Sequence, residues 1–387
     1  MTRVAIAGAA SLPCGHTWEA TSGDLAIEVA GPLLGAAPID ALFVAAPAAL
    51  PIRGQACEGA VLADRLSLRG VASYQVESGD ASGAAALHLA YAHVAAGLSR
   101  AALVLGVSKV SDHSERERAA LMDSLIDQEV EAPLGLTYAA LAGLLADLYL
   151  QEHGQKRGVF SQVVAKNAAN AVLGGETFLP YAPTAQELRR DIPVAEPLLR
   201  SDFAPIFDGA TALLITDLEV ARELCTAPVE IEAIGSSTDT TILSERPSPL
   251  SLAAVGDAAR ACLARSDMAS VVDAAFLEIH NACSILEVLG VEALGVCEPG
   301  TIGALLKDGF GRVDAAYPIN PSGGQHGRGL AFGASGLEQA REVFVQLSGQ
   351  AGARQVAGAI GPGVRAMSVA MAGLGIQAFA TIYRGTA

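Results

Sequence analysis

The stretch VESGDASGAAA at residues 76–86 decides the fold. It follows an extended run at 73–76 and precedes an Ala- and Leu-rich helix predicted over residues 84–97. Gly79 and Gly83 permit a tight passage from strand to helix. The first N–H groups of a helix have no partner within it, so a reactive side chain at Asp80 would lie against its positive end. Asp is also a favoured N-cap residue, and a purely structural cap is the alternative interpretation of Asp80.

Composition excludes several classes of protein. A chain of 387 residues exceeds one ordinary core, which predicts two domains or two fused halves. Its net charge of −16 argues against nucleic acid or an anionic membrane surface as a main partner. No apolar segment is long and clean enough to span a bilayer, and the first residues show no signal-peptide pattern, so we expect a soluble, cytoplasmic protein. The six cysteines form no C-x-x-C pair and have no His at metal-ligand spacing, so no metal site is predicted.

The order of the predicted elements indicates an internal duplication. Strands at 4–7, 42–45, 102–107 and 210–216, with helices between them, form a first half over residues 1–227. The continuous apolar run ALVLGV at 102–107 is typical of a parallel α/β sheet. A charged, helical insertion over about 111–205 interrupts this half. A second half over 228–387 repeats the order, and its Ala-Ser-Gly at 334–336 matches the Ala-Ser-Gly at 81–83.

Basic residues that would suit an anionic ligand are scattered, and most are interpreted as ordinary solvated charges. In the glycine-rich run at 323–329, which does not match a phosphate-binding P-loop, we interpret His326 and Arg328 as exposed loop residues that can approach a ligand. The basic candidates are Arg116, Arg118, Lys156, Arg157, Lys166 and Arg328.

Four stretches resemble the thiolase superfamily, especially its sterol-carrier-protein-x and archaeal branch. They are residues 76–112, FDGATALLITD at 207–217, EIHNACSILEVLGVEALGVCEPG at 278–300 and INPSGGQHGRGLAFGASGLEQA at 319–340. The resemblance spans nearly the whole chain. It implies an α/β thiolase fold with two similar βαβαβ-type halves in a layered αβαβα arrangement, an inserted helical loop domain and assembly as a homodimer.

The catalytic residues of the family are carried over only in part. Asp80 stands where the family has its nucleophilic Cys, and Leu330 stands where the GHP-type motif has its activating His. His280 keeps the His of the HDCF-type motif, but Ala282 replaces its Cys and Cys283 is displaced by one position. The last glycine-rich loop offers the backbone N–H of Gly373 to an oxyanion. The pocket is therefore predicted to persist without the Claisen machinery.

That pattern is also similar to the thiolase-fold aldolases that cleave steroid side chains with a small zinc-ribbon/OB-fold partner, although Leu330 and His280 replace their expected Tyr residues. The first hypothesis is an acyl-CoA aldol or retro-aldol enzyme with Asp80 as base and with His280 and Gly373 stabilising the oxyanion. The second is a non-catalytic subunit that binds acyl-CoA or completes a hetero-oligomer with a thiolase paralogue. An ordinary thiolase is disfavoured. The resemblance implies that a CoA thioester is the substrate or a ligand and that no cofactor is covalently bound. Secondary candidates are Asn281, Cys283 and Asn320, and substrate-binding candidates are Ser322, Gly323, Gly324, His326 and Arg328.

Overall fold

Most of the strands join into one mixed sheet in the computed structural model, which describes residues 2–387. The strands are β1 (Val4–Ser11), β2 (Ala41–Ala45), β3 (Ala72–Val76), β4 (Ala101–Ser108), β5 (Pro193–Ala195), β6 (Leu198–Leu199), β7 (Gly209–Asp217), β8 (Val229–Thr238), β9 (Leu277–Ile279), β10 (Arg365–Ala372) and β11 (Gln377–Gly385). Their order in the large sheet is β3-β2-β4-β7-β1-β8-β11-β10-β9, and β5 pairs with β6 separately.

The helices lie between and around these strands, and several begin at side-chain caps. Thr21 and Ser114, for example, each form a capping box with an acidic residue three positions later. The helices are α1 (Ser22–Ala30), α2 (Ala49–Arg53), α3 (Glu58–Arg65), α4 (Ser82–Ala95), α5 (Glu115–Asp123), α6 (Tyr138–His153), α7 (Gly158–Gly174), α8 (Ala185–Leu188), α9 (Leu218–Leu224), α10 (Ala253–Leu263), α11 (Ser284–Ala293), α12 (Ile302–Lys307), α13 (Gly324–Arg328) and α14 (Ser335–Leu347).

Alternating side chains on the strands produce the layers. On β2, Phe43 packs into the core cluster that holds α4 and α14, whereas Leu42 and Val44 pack against α1 and α3. On β11, Phe379 packs toward the same two helices, and Ile382 packs on the opposite side with α10. Both halves of the sheet therefore enclose α4 and α14 and carry helices on their outer faces. The predicted αβαβα arrangement is confirmed.

Strand direction differs from the sequence expectation. The predicted parallel sheet is mixed, because β2 runs parallel to β3 and β4, whereas β7 runs antiparallel to both β4 and β1. The apolar run in β4 reflects helices on both faces and carries no information on direction. The two halves also join directly, since Val4 to Ile6 of β1 pair with Val229 to Ile231 of β8.

The helical insertion lies between β4 and β7, which are neighbours in the sheet. Helices α5 to α8 belong to it, and α7 packs against α11, α12 and α13 of the second half. The insertion, which belongs to the first half, therefore contacts the glycine-rich loop of the second half. The domain boundary at 227/228 and the limits 111–205 of the loop domain stay predictions.

Two glycines let the central helices cross closely. A Cβ atom on Gly336 would lie 2.6 Å from the backbone N of Ala84, and one on Gly83 would lie 2.7 Å from the carbonyl O of Gly333. Larger side chains would separate α4 from α14. The repeated Ala-Ser-Gly thus marks a contact between the two halves, and this contact brings the turn at Asp80 near the loop at 329–333.

Neither a membrane-spanning helix nor a metal-binding cluster is found among residues 2–387. In this part of the chain no helix is long and apolar enough to cross a membrane. Nor do His, Cys, Asp and Glu side chains of these residues gather into a group that could hold a metal ion.

Candidate active site

Asp80 lies in a single 3₁₀ turn between β3 and α4, and its side chain is fully buried. Its Oδ1 atom accepts a hydrogen bond of 2.9 Å from the backbone N–H of Gly373, which follows β10 with a φ of +54°. The N-cap position of α4 is Ala81, and Ser82 bonds the turn at Ser78 and Gly79 instead. The interpretation of Asp80 as an N-cap is therefore wrong, because its carboxylate faces the second half of the fold.

His280 meets the same carboxylate from the end of β9. Its Nε2 atom lies 3.2 Å from Asp80 Oδ2, and both side chains are buried. The angles at this contact do not satisfy a hydrogen bond, so neither atom has a hydrogen-bond partner among residues 2–387. The other ring nitrogen lies 3.4 Å from Gln325 Nε2. The carboxylate thus occupies the space between His280 and Gly373, the two groups predicted to bind an oxyanion.

Apolar side chains fill the positions of the missing family residues. Leu330 and Ala282 belong to one buried cluster with Leu121 and Phe332. The backbone of Leu330 is anchored by an N–H bond of 2.8 Å to the carbonyl O of Pro205. Leu121 and Phe332 line the same cavity as Gly79, so the cluster lies beside the Asp80 turn, and it supplies neither a base nor a thiol.

Cys283 does not replace the lost nucleophile. Its side chain is fully buried at the start of α11, and burial, followed by the nearby Asp202 charge, raises the pKa of its thiol far above the usual value. A thiol held protonated is a poor nucleophile, since the thiolate is the reactive form. Conventional acyl-enzyme chemistry therefore has no suitable Cys at this position.

Asn281 and Asn320 belong to a buried polar network centred on Glu287. Glu287 Oε2 accepts bonds of 2.8 and 3.0 Å from their side-chain amides, and Glu287 Oε1 lies 2.7 Å from Lys166 Nζ. The Lys166 charge and the amide donors outweigh burial and lower the pKa of Glu287, whereas burial lowers the pKa of Lys166. Lys166 is therefore not the solvated charge that the sequence suggested. The network holds the residues flanking His280.

The first residues of the glycine-rich loop serve packing. The Ser322 hydroxyl and N–H donate to the two carboxylate oxygens of Glu278, at 2.8 and 2.9 Å. Gly323 lies against α7, where a Cβ would come within 2.7 Å of a carbonyl oxygen, and a Cβ on Gly324 would come within 2.5 Å of the Asn281 side chain. These three substrate-binding candidates lie inside the fold, about the same network, rather than on an open surface.

His326 and Arg328 are buried, so the expectation of exposed loop residues is wrong for both. His326 lines a cavity of about 620 Å³ beside α7, and burial lowers its pKa to about 4. Both of its ring nitrogens are without a hydrogen-bond partner within the described range 2–387. Arg328 instead joins a buried ionic cluster, 3.7 Å from Glu176 and 4.0 Å from Glu342.

Leu125 separates Asp80 from a second cavity of about 720 Å³ that Gly79, Phe332 and Leu125 itself line. A Cβ on Gly79 would lie 2.5 Å from Leu125 Cδ2, and one on Gly373 would lie 2.8 Å from the Leu125 carbonyl O. Leu125 therefore covers the two backbone segments that flank the carboxylate. No sequence motif identified this residue.

Tyr138 is a further residue that the sequence analysis missed. It begins α6 after the N-cap Thr137, and its side chain is 1% exposed. Its hydroxyl has no hydrogen-bond partner in the described part of the chain, residues 2–387. Burial is the main cause that raises the pKa of Tyr138 well above its usual value. The sequence gives no signal for this, because an aromatic residue at a helix start points inward or outward according to tertiary packing.

The layered αβαβα fold, in which the turn at Asp80 precedes a central helix and meets the loop at Gly373, is that of the thiolase-fold proteins. Comparison with known proteins agrees. Residues 235–384 match the family described as thiolase C-terminal domain-like. The chain is 33% identical over 366 residues to an acetyl-CoA acetyltransferase of Methanothermobacter thermautotrophicus, covering 93% of this chain and 94% of the relative. The chain belongs to the thiolase superfamily.

Two further comparisons concern another curated relative and a solved structure. Sterol carrier protein 2 of Rattus norvegicus is 29% identical over 331 residues, which cover 82% of this chain and 59% of that protein. The solved structure of an Ltp2-ChsH2(DUF35) aldolase superposes with a TM-score of 0.81 at 19% identity, covering 99% of this chain and 98% of the aldolase chain. At that identity the structural likeness shows the fold alone. The expected resemblance to the sterol-carrier and archaeal branch is confirmed.

Proposed function

We propose that this protein acts on acyl-CoA thioesters and catalyses cleavage or formation of a C–C bond of the aldol type, without a Cys acyl-enzyme. The observation that carries the proposal is the buried Asp80–His280 pair, whose facing atoms are 3.2 Å apart without a good hydrogen bond. An unsatisfied buried polar group costs about 1–3 kcal/mol, and more when charged. Apolar residues, Ala282 and Leu330, are buried at neighbouring positions of the same site. A polar pair kept at this cost supports a chemical role over a packing role.

The pair suits cleavage of a β-hydroxyacyl-CoA. Asp80 accepts the proton of the β-hydroxyl, the electrons of the C–C bond pass toward the thioester, and an enolate forms. His280 and the Gly373 N–H stabilise the enolate oxygen once the substrate has displaced the carboxylate from that N–H. Each group has the role that the sequence analysis assigned to it. CoA enters as part of the substrate, with no covalently bound cofactor.

Substrate reaches Asp80 in this scheme by displacing Leu125. Of the α5 residues, only Leu121 is buried, so this helix is held to the body by few apolar side chains. The cavity of about 720 Å³ beside Leu125 is large enough for the acyl part of a thioester. A small outward shift of α5 together with the segment that follows it, which carries Leu125, joins this cavity to the carboxylate.

A second candidate function is a non-catalytic subunit that binds acyl-CoA or completes a hetero-oligomer. The hydrogen bond from Gly373 to Asp80 favours it, because the carboxylate already occupies the oxyanion position. On this alternative, the Asp80 side chain fills the oxyanion position for structural reasons, and Leu125 stays packed over it without moving.

We also propose that two copies of the chain assemble into a homodimer. The edge strand β3 exposes Tyr74, and Leu89 and Leu98 are exposed beside it. These three residues line an open apolar pocket with a volume of about 590 Å³. An unprotected apolar edge favours pairing with a second copy, so we expect a homodimer through β3. A small zinc-ribbon/OB-fold protein or a thiolase paralogue is the expected further partner, and the cytoplasm is the expected compartment.

The test is an aldol-cleavage assay on a set of β-hydroxyacyl-CoAs, with the purified chain alone and with co-expressed zinc-ribbon/OB-fold partner, detecting the shortened acyl-CoA and the carbonyl product by mass spectrometry. Asp80→Asn is the matched variant, since it keeps the shape and removes the base. We expect turnover by the wild type and its loss in Asp80→Asn. Equal turnover in the two would overturn the mechanism, and tight acyl-CoA binding without turnover in either would establish the second candidate.

A further inference from the structure

The cavity beside α7 has in its wall a histidine that forms no hydrogen bond through its ring. His326 lines this cavity of about 620 Å³ and is 4% exposed. Neither of its ring nitrogens has a hydrogen-bond partner among residues 2–387. Buried polar side chains in native proteins nearly always have such a partner. An unpaired imidazole in the wall of a cavity of this size indicates a ligand-binding site.

This cavity is separate from the Asp80 site, although the two share a wall. Ala204 and Ile206 line the cavity, and both also pack with Leu330 in the apolar cluster beside the Asp80 turn. Asp80 and His280 are not among the lining residues. A ligand held here would therefore lie next to the proposed reaction centre without contacting its polar pair.

Hydrogen bonds of the chain itself fix the walls of the cavity. The Thr177 hydroxyl donates to the carbonyl O of Gly327, the residue after the histidine, and accepts from the N–H of Leu179 at 3.1 Å. On the other shared wall, the N–H of Ala204 donates to the carbonyl O of Ala282 at 2.9 Å. The cavity is thus formed before a ligand binds, which lowers the entropy cost of binding.

Aromatic side chains give the cavity a preference for a flat ring. Phe178 and Phe207 line it in an edge-to-face contact, with ring centroids 5.2 Å apart. His16, also in the lining, meets Phe207 edge-on at 5.1 Å, and Phe203 is a further lining residue. Contacts between rings add to the gain from burying apolar area. An aromatic ligand therefore fits these walls better than a flexible chain of equal volume.

The polar groups of the lining favour a neutral ligand. Burial lowers the pKa of His326 to about 4, so at neutral pH its uncharged ring offers one N–H donor and one acceptor. The charged lining residues balance in sign, and they are Arg118, Arg200, Glu115 and Asp191. Arg200 is already paired with Asp191 at 3.1 Å. A hydroxyl group can donate to the imidazole or accept from it, whereas a buried carboxylate would be costly without a counter-ion.

We propose that the cavity lined by His326 binds a small, neutral aromatic alcohol, with the ring among the phenylalanines and the hydroxyl on the imidazole. This inference goes beyond the proposed aldol-type function and stands without it. The ligand is neither the acyl-CoA nor an anion.

Fluorescence titration of the full chain at neutral pH with β-naphthol, naphthalene and β-naphthoate tests the proposal. The three probes share one ring system and carry a hydroxyl, no polar group and a carboxylate, respectively. β-Naphthol should bind about tenfold more tightly than either of the others, the usual effect of one hydrogen bond. Equal binding of β-naphthol and naphthalene, or tighter binding of β-naphthoate, would overturn the proposal.

His326→Leu is compared with His88→Leu. Both histidines are buried, but His88 Nε2 already bonds the Thr381 hydroxyl at 2.9 Å. In His326→Leu, β-naphthol should bind about tenfold more weakly than in the wild type and naphthalene should bind equally well. His88→Leu should keep the wild-type preference. A preference for β-naphthol that survives in His326→Leu would contradict the proposal.

Ala119→Trp locates the site without changing the histidine, and it decides the matter if His326→Leu does not fold. Ala119 is exposed on α5 and lines the cavity, so a Trp side chain there should fill the cavity and abolish β-naphthol binding. Unchanged binding in Ala119→Trp, displacement of β-naphthol by CoA, or no binding to the wild type would each refute the assignment. A failed aldol-cleavage assay would leave it intact.

Discussion

Replacing Glu287 by Gln tests whether the buried network supports the site. Glu287 and Lys166 are both buried, their charged atoms are 2.7 Å apart, and amides of Asn281 and Asn320 donate to the same carboxylate. Glu287→Gln leaves the Lys166 ammonium without its counter-ion and turns an amide NH₂ toward other NH₂ donors. Breaking a buried pair from one side costs about 3–5 kcal/mol, so the free energy of unfolding should fall by that amount.

Urea unfolding followed by circular dichroism measures this loss, with Arg222→Met as a control. Arg222 pairs with Glu219 at 2.7 Å, but both are exposed, so that variant should lose less than about 1 kcal/mol. The double variant Lys166→Met/Glu287→Gln should be less destabilised than the sum of its two single changes, because no unpaired charge stays buried. A loss in Glu287→Gln no larger than in Arg222→Met would refute the importance of the network.

Three other predictions follow from single contacts. Cys283→Ala should retain turnover, and intact-mass spectra after incubation with acyl-CoA should show no acyl adduct; an adduct that disappears in Cys283→Ala would contradict this. Leu125→Ala should lower KM for acyl-CoA at a stability cost of up to about 3 kcal/mol, because it removes the cover over Asp80; an unchanged KM would argue for permanent packing. Burial and the neighbouring Glu342 raise the pKa of Glu278 to about 8, so its proton stabilises the fold at low pH and that stability is lost as pH rises from about 4.3 toward 8. The melting temperature should therefore fall less steeply with rising pH in Glu278→Gln than in the wild type. Parallel plots of melting temperature against pH would exclude Glu278 as the cause.

The sequence predicted the parts of the fold that local pattern controls. Apolar runs marked β2, β4 and β7, and the repeated Ala-Ser-Gly marked the two central helix starts, because burial and close helix contact leave direct traces in composition. The turn at Asp80 was located for the same reason. Strand direction left no such trace, since a strand covered on both faces is apolar whichever way it runs.

Burial of polar residues depended on partners far away in the chain, and this is where sequence interpretation was wrong. Lys166 is buried because it forms an ion pair with Glu287. Arg328 is buried because Glu176 and Glu342 lie within 4.0 Å of its guanidinium group. More than 100 residues separate Lys166 from its partner and Arg328 from Glu176, so no local window contains either pair. Leu125 was missed for a related reason, since its covering position depends on how the segment that follows α5 packs against Gly79 and Gly373.

The replacements at Asp80, Leu330 and Ala282 are physically linked. A Claisen reaction places a negative oxygen near His280 and Gly373, where the Asp80 carboxylate now lies. Two unit negative charges 4 Å apart repel by about 4 kcal/mol at an effective dielectric constant of 20, close to a thousandfold in rate. With that intermediate disfavoured, a His and a Cys serving it have no use, and apolar residues fill their places. In the proposed aldol-type mechanism this repulsion does not arise, because Asp80 takes up the β-hydroxyl proton and loses its negative charge as the enolate forms.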